Sequence, residues 1–107
     1  MDLVTVYATA ASEDEAVRIA EALVAERLVA CVNVLPGVTS VYRWTSEVCR
    51  DAEVAIFAKT TAERFDRVAA RIRELHSYET PCVVAWPAAA ADADYAAWVR
   101  DAAEDRR

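Results

Sequence analysis

The stretch from Ala30 to Trp44 reads ACVNVLPGVTSVYRW, one long β-prone run with a single interruption at Pro36-Gly37. After a two-residue polar break at Thr45-Ser46, a second extended run continues to Lys59-Thr60. Strands typically span about five or six residues. Two runs of roughly twice that length make more ribbon than a 107-residue chain can cover with its own sheet. A ribbon that overshoots its sheet leaves edges whose N–H and C=O groups seek a partner. The stretch therefore predicts a protein that works as an assembly.

Working outward, Leu3 to Ala8 alternates β-branched and aromatic residues and reads as a first strand, with a turn over Thr9 to Ser12. Ser12 and Glu15 have capping-box spacing, and Glu13, Asp14 and Glu15 suit the positive end of a helix dipole. Ala16, Ile19, Ala20, Leu23 and Val24 then fall on one helical stripe that ends near Arg27. The second strand covers Ala30–Val34 and resumes at Val38–Trp44, with a bulge at Pro36-Gly37. The third runs from about Glu47 to Lys59, and the two pair as an antiparallel hairpin. Thr60 and Glu63 repeat the capping spacing before a stripe of Phe65, Val68, Ala69, Ile72 and Leu75. His76 to Pro81 is a loop, Cys82 to Trp86 a short apolar strand of the buried kind, and Asp92 to Glu104 a third helix that frays over Glu104–Arg107.

The order β-α-β-β-α-β-α gives an α+β fold, a ferredoxin-like βαββαβ sandwich with a long central hairpin and an extra C-terminal helix. Two helices cover one face of the sheet. One spare helix is too little for the other, so a partner chain is the natural cover. No linker, repeat or low-complexity stretch divides the chain, which predicts one domain over residues 1–107.

Composition narrows the function. Of the residues, 56% are hydrophobic and 28% charged, a globular balance. The net charge of −6 repels phosphate backbones and argues against nucleic-acid partners. Three widely spaced cysteines without a C-x-x-C motif suit a reducing compartment, so the expected location is cytoplasmic. The acidic start and the lack of an apolar run near 18 residues argue against a signal peptide or a membrane span.

ACVNVLPGVTSVYRW, followed by Glu47-Val48, Ala58-Lys59-Thr60-Thr61, the loop His76-Ser77-Tyr78-Glu79-Thr80-Pro81, and Trp86-Pro87 with Asp94-Tyr95-Ala96-Ala97-Trp98, resembles the CutA family of divalent-cation tolerance proteins. The resemblance runs from Val4 to about Val99. It implies a tight homotrimer in which long hairpins pair across subunits, a role in the response to metal ions, copper binding, and no enzymatic activity. The chain departs from the family pattern at Ser46, where a glycine is usual, and at Ser77, where a proline is usual. Ala8 and Leu75 stand where a bacterial member has copper-binding Cys and His.

The candidate site residues follow. His76 is the single histidine, and with Glu79 it is the candidate for copper or another divalent cation. One imidazole is not a metal centre; the plainer reading of His76 is a helix-terminal cap. Lys59 closes the third strand before a helix start and, with Tyr78 and Trp44, is the candidate for a small ligand. The alternative function is accordingly a PII-like trimer that senses a small-molecule anion at its subunit clefts. Tyr42, Trp44 and Trp98 are interface candidates. Cys31 and Cys82 read as core and Cys49 as exposed, while Glu47, Asp51 and Glu53 read as solvated residues near the hairpin tip. An acylphosphatase on this fold would need a phosphate cradle after the first strand, and Thr9-Ala10-Ala11-Ser12 has neither Gly nor Arg. An RNA-binding sheet would need positive charge.

Overall fold

The computed structural model describes residues 2–104. Its elements are β1 (Leu3–Ala10), α1 (Glu13–Ala25), β2 (Cys31–Trp44), β3 (Glu47–Thr61), α2 (Phe65–Leu75), β4 (Val83–Pro87) and α3 (Ala93–Ala102), with a 3-10 turn at Ala62–Arg64 leading into α2. The strands form one sheet in the order β2-β3-β1-β4, every neighbouring pair antiparallel. This is the mixed architecture that the element order predicts, with the third helix added.

Period-two alternation splits the sheet into two faces. Val6, Ala8, Ile56 and Ala58 point one way and pack with Ile19 and Leu23 of α1 and Val68 and Ile72 of α2. Leu3 points the other way and meets Ala30, Ala96 and Val99, so α3 covers one end of the second face. Arg27 ties the helices together: its guanidinium donates to the carbonyls of Asp101 at 2.6 Å and Glu104 at 3.1 Å, capping the last turn of α3. The rest of the second face, including Tyr7, Phe57 and Trp86, has no helix over it. There Tyr7 packs against Phe57 at 5.3 Å and Trp86 at 5.4 Å between ring centroids.

The long hairpin forms as its sequence predicts. The β2–β3 register shifts between Leu35 and Val38, where Gly37 takes φ +85°. β1 pairs with β3 only over Val54–Thr61, so the outer arms Val38–Trp44 and Glu47–Glu53 have each other and no third strand. Their apolar side chains stand in solvent: Val41 is 66% exposed, Trp44 61% and Val48 69%. The two-residue turn holds Thr45 at φ 48° and Ser46 at φ 70°, the left-handed pair that suits the twist of a hairpin.

Several expectations are corrected. Thr9 and Ala10 belong to β1, not to a turn, because both pair with β3. α1 stops at Ala25 rather than near Arg27, whose φ of 59° is left-handed, and Val24 of the expected stripe is exposed. Ser12 caps α1 as expected, but Glu15 reaches back to the N–H of Ala11, one residue before the cap. The second capping box does not form. Thr60 lies within β3, its hydroxyl donates to the Leu28 carbonyl at 2.8 Å, and α2 starts through the 3-10 turn with no side-chain cap. β4 is not buried on both faces: it is an outer strand, with Val84 and Trp86 exposed. Cys82, expected in the core, is exposed, while Cys31 and Cys49 are both half-buried, between the core and surface roles expected for them. The predicted fraying over Glu104–Arg107 falls largely on residues 105–107, which lie outside the described residues.

Glycine adopts the left-handed region without the clash a Cβ brings. Replacing Ser46 with Gly is expected to stabilise the fold by about 0.5–1 kcal/mol, since relief of turn strain is partly offset by unfolded-state entropy. Urea unfolding checks this, and a midpoint at or below that of the parent chain contradicts it.

Candidate functional site

Where the hairpin arms leave the sheet, an open cleft of about 530 Å³ forms on the part of the second face that α3 leaves uncovered. Four segments build it. β1 supplies Tyr7 and Thr9, the outer part of β2 supplies Ser40, Tyr42 and Trp44, β3 supplies Glu53, and the loop before β4 supplies Tyr78, Glu79, Thr80 and Cys82. Alternation explains the first three sets: Tyr7 and Thr9 share a face of β1, and Ser40, Tyr42 and Trp44 share a face of β2.

The loop is held in place by two residues. His76 ends α2, and its Nε2–H donates to the Thr9 carbonyl at 2.7 Å. Its Nδ1 accepts from the backbone N–H of Tyr78 at 3.0 Å. A carbonyl can only accept and an N–H can only donate, so these partners require the neutral Nε2–H form. Glu15, buried at the start of α1, takes the next link. It accepts from the N–H of Ser77 at 2.9 Å, the hydroxyl of Ser77 at 3.1 Å and the N–H of Ala11 at 3.2 Å. Burial pushes the Glu15 carboxyl up, but hydrogen bonds from Ser77 and Ala11 outweigh it and hold its pKa below the ordinary 4.5.

The cleft is acidic and aromatic. Tyr78 donates its hydroxyl to Glu53 at 2.9 Å. Burial first, then that bond and the charge of Glu53, push the Tyr78 phenol up to about 12. Tyr42 donates to Asp51, and this bond, more than burial, takes Tyr42 to about 12. Burial and the Glu53 charge raise the Cys82 thiol, which disfavours the reactive thiolate. Among the described residues, no basic side chain lines the cleft. Such a surface favours a cation over an anion.

Of the residues singled out in the sequence, Tyr42, Trp44, Tyr78 and Glu79 meet in this cleft, and His76 supports it from behind. Lys59 does not reach it. It lies two residues inside the end of β3 rather than beside a helix start, opposite Cys31 on β2 and Thr5 on β1. Trp98 is elsewhere, exposed on α3 with its ring 5.8 Å from that of Tyr95. Among the described residues, no group of three or more His, Cys, Asp and Glu gathers in a way that could hold a metal ion. Both nitrogens of His76 are engaged, so it can ligate only after releasing Thr9 or Tyr78. The described residues of one chain therefore do not fit a closed copper centre.

Sequence reasoning missed two residues. Glu53 reads as a solvated hairpin residue, yet it is half-buried and bonded to Tyr78. Glu15 reads as a capping residue alone, and nothing in its local spacing points to Ser77, 62 positions away.

The chain matches the family model described as CutA1 divalent ion tolerance protein over residues 4–102. It is 46% identical over 96 residues to the divalent-cation tolerance protein CutA of Thermus thermophilus, covering 90% of this chain and 93% of that protein. It is 36% identical to human Protein CutA over 92% of its own length, and spans 55% of that longer protein. Among solved structures, that of the Thermus thermophilus protein superposes with a TM-score of 0.91 at 44% identity, covering 92% of this chain and 96% of the other. The CutA structure from Archaeoglobus fulgidus, described as periplasmic, gives 0.93 at 34% identity and covers 95% and 99%. The family model and the Thermus thermophilus protein are named for tolerance to divalent ions, and none of these names denotes a catalytic family.

A carboxyl group whose pKa is depressed on folding adds stability above its unfolded pKa and loses it as the pH falls through the folded value. Replacing Glu15 with Gln is expected to cost about 2 kcal/mol at neutral pH, because three donors lose a charged acceptor. The variant should also lose less stability than the parent between about pH 5 and pH 3. Urea unfolding across that range is the check, and parallel curves would refute the assignment.

Proposed function

The chain belongs to the CutA1 divalent ion tolerance family, and from that premise we propose a homotrimeric, non-catalytic binding protein for divalent cations, formed by one domain over residues 1–107 and acting in the cytoplasmic response to metal ions. The observation that carries this reading is the unpaired outer half of the β2–β3 hairpin. Two strand arms with solvent-exposed Val41, Trp44 and Val48 have each other and no third strand among the described residues, and strand edges of that length are relieved by pairing with another copy. Tyr42 and Trp44, with Trp98 on α3, are the aromatic residues that such an interface would bury.

Cation binding follows from pooling. Glu79 and Glu53 face the cleft, and the described residues of one chain bring too few donors together for a metal centre. Copies arranged around a common axis multiply the carboxylates, and a cation held among them is cargo rather than a resident cofactor. Copper asks for nitrogen or sulfur donors, and His76 could join Glu79 only by giving up a loop contact. The proposal therefore favours oxygen-seeking divalent cations over copper.

The PII-like alternative, a small anion held by Lys59, Tyr78 and Trp44 at a subunit cleft, is favoured by one observation. The Lys59 side chain has no hydrogen-bond or ion-pair partner among the described residues. Against it, Tyr78 and Trp44 share their cleft with Glu53 and Glu79.

Light scattering on the eluting protein is expected to give three times the chain mass; a monomer mass would sink the assembly reading. Replacing Glu79 with Gln should reduce the rise in melting temperature caused by divalent cations, since a ligand of the native state stabilises it. An equal rise in the variant removes Glu79 from the site, and a rise with anions but not cations favours the alternative.

A further inference from the structure

A second cavity, of about 420 Å³, lies between the 3-10 turn that opens α2 and the last turn of α3. Two of its lining groups lack partners. The Thr61 hydroxyl is buried and makes no hydrogen bond. Arg64 is 5% exposed and has no hydrogen-bond or ion-pair partner among the described residues. A buried hydroxyl without a partner is costly, and the Arg64 side chain beside it makes no hydrogen bond of its own among the described residues. Both face the same space, and the backbone beside them starts a helix that no side chain caps.

We propose that this cavity binds a small carboxylate ion, held by the Arg64 guanidinium and the Thr61 hydroxyl. A guanidinium presents paired N–H donors that match the two oxygens of a carboxylate, and the hydroxyl adds a third donor. The surrounding charge selects against more highly charged anions. Glu63, Asp101 and Glu104 also line the cavity, while Asp2 is engaged with Arg100 at 3.0 Å. A doubly charged phosphate would be repelled more strongly by these carboxylates than a singly charged, planar group. The site is separate from the aromatic cleft and does not depend on how that cleft is used.

Acetate is the probe, titrated into the full chain in its native assembly at neutral pH and fixed ionic strength, with chloride and inorganic phosphate as comparison salts. The Arg64 Nε–Hε resonance reports binding. The expected result is a saturable shift with acetate, absent with chloride and weaker with phosphate. Thr61→Val should weaken acetate binding about tenfold, as loss of one hydrogen bond to a charged group does. The same variant should melt above the parent without ligand, because it removes an unsatisfied buried hydroxyl. Arg64→Met should abolish acetate-induced changes in the neighbouring backbone resonances. If Arg64→Met fails to fold, Thr61→Val decides. A shift that does not saturate, a stronger response to phosphate than to acetate, or unchanged acetate affinity in Thr61→Val overturns the proposal.

Discussion

The β2–β3 ladder is the constraint on which the rest of the molecule depends. It runs from Cys31 opposite Lys59 to Trp44 opposite Glu47, broken only where Gly37 absorbs the bulge. Its inner half is an ordinary part of the sheet: Val54, Ile56 and Ala58 anchor β3 in the core, and β1 pairs along it. Its outer half is held by its own cross-strand bonds and its turn. This division sets the shape of the chain, with a compact sandwich at one end and an unsupported ribbon at the other. The cleft lies where the two meet, since only there do sheet residues such as Tyr7 and ribbon residues such as Tyr42 and Trp44 share a face.

A second feature gives the cleft its far wall. The loop after α2 carries Tyr78 and Glu79, and a free loop would not hold them. Glu15 clasps Ser77 through both its N–H and its hydroxyl, while His76 bridges Thr9 and Tyr78. Buried polar networks of this kind fix one arrangement when every member is satisfied. A proline in place of Ser77 would restrict the backbone but would have neither N–H nor hydroxyl to donate. In this chain the two hydrogen bonds to Glu15 take over that restriction.

The acidic character of the cleft also follows from placement. Glu53 is one of a run of acidic residues that reads as surface, and pairing with Val38 sets it at the junction of ribbon and sheet. There burial first, and its carboxylate second, raise the pKa of Tyr78 and Cys82. The chemistry on offer is thus carboxylates beside neutral phenols and a neutral thiol, a surface for holding a cation rather than for nucleophilic attack.

The sequence by itself determined the elements, the hairpin, the bulge at Pro36-Gly37 and the mixed fold, because each rests on local periodicity or on a residue with restricted dihedrals. Tyr42, Trp44, Tyr78 and Glu79 were recognisable as site candidates because exposed aromatic rings and acids near a loop are legible one residue at a time. Tertiary structure alone decided which of them meet. It removed Lys59 and Trp98 from the cleft, turned Cys82 outward and left β4 as an outer strand. It also brought Glu15 to Ser77 and left Arg64 and Thr61 facing one cavity without partners. Those outcomes depend on contacts between segments distant in the chain, and local spacing carries no information about them.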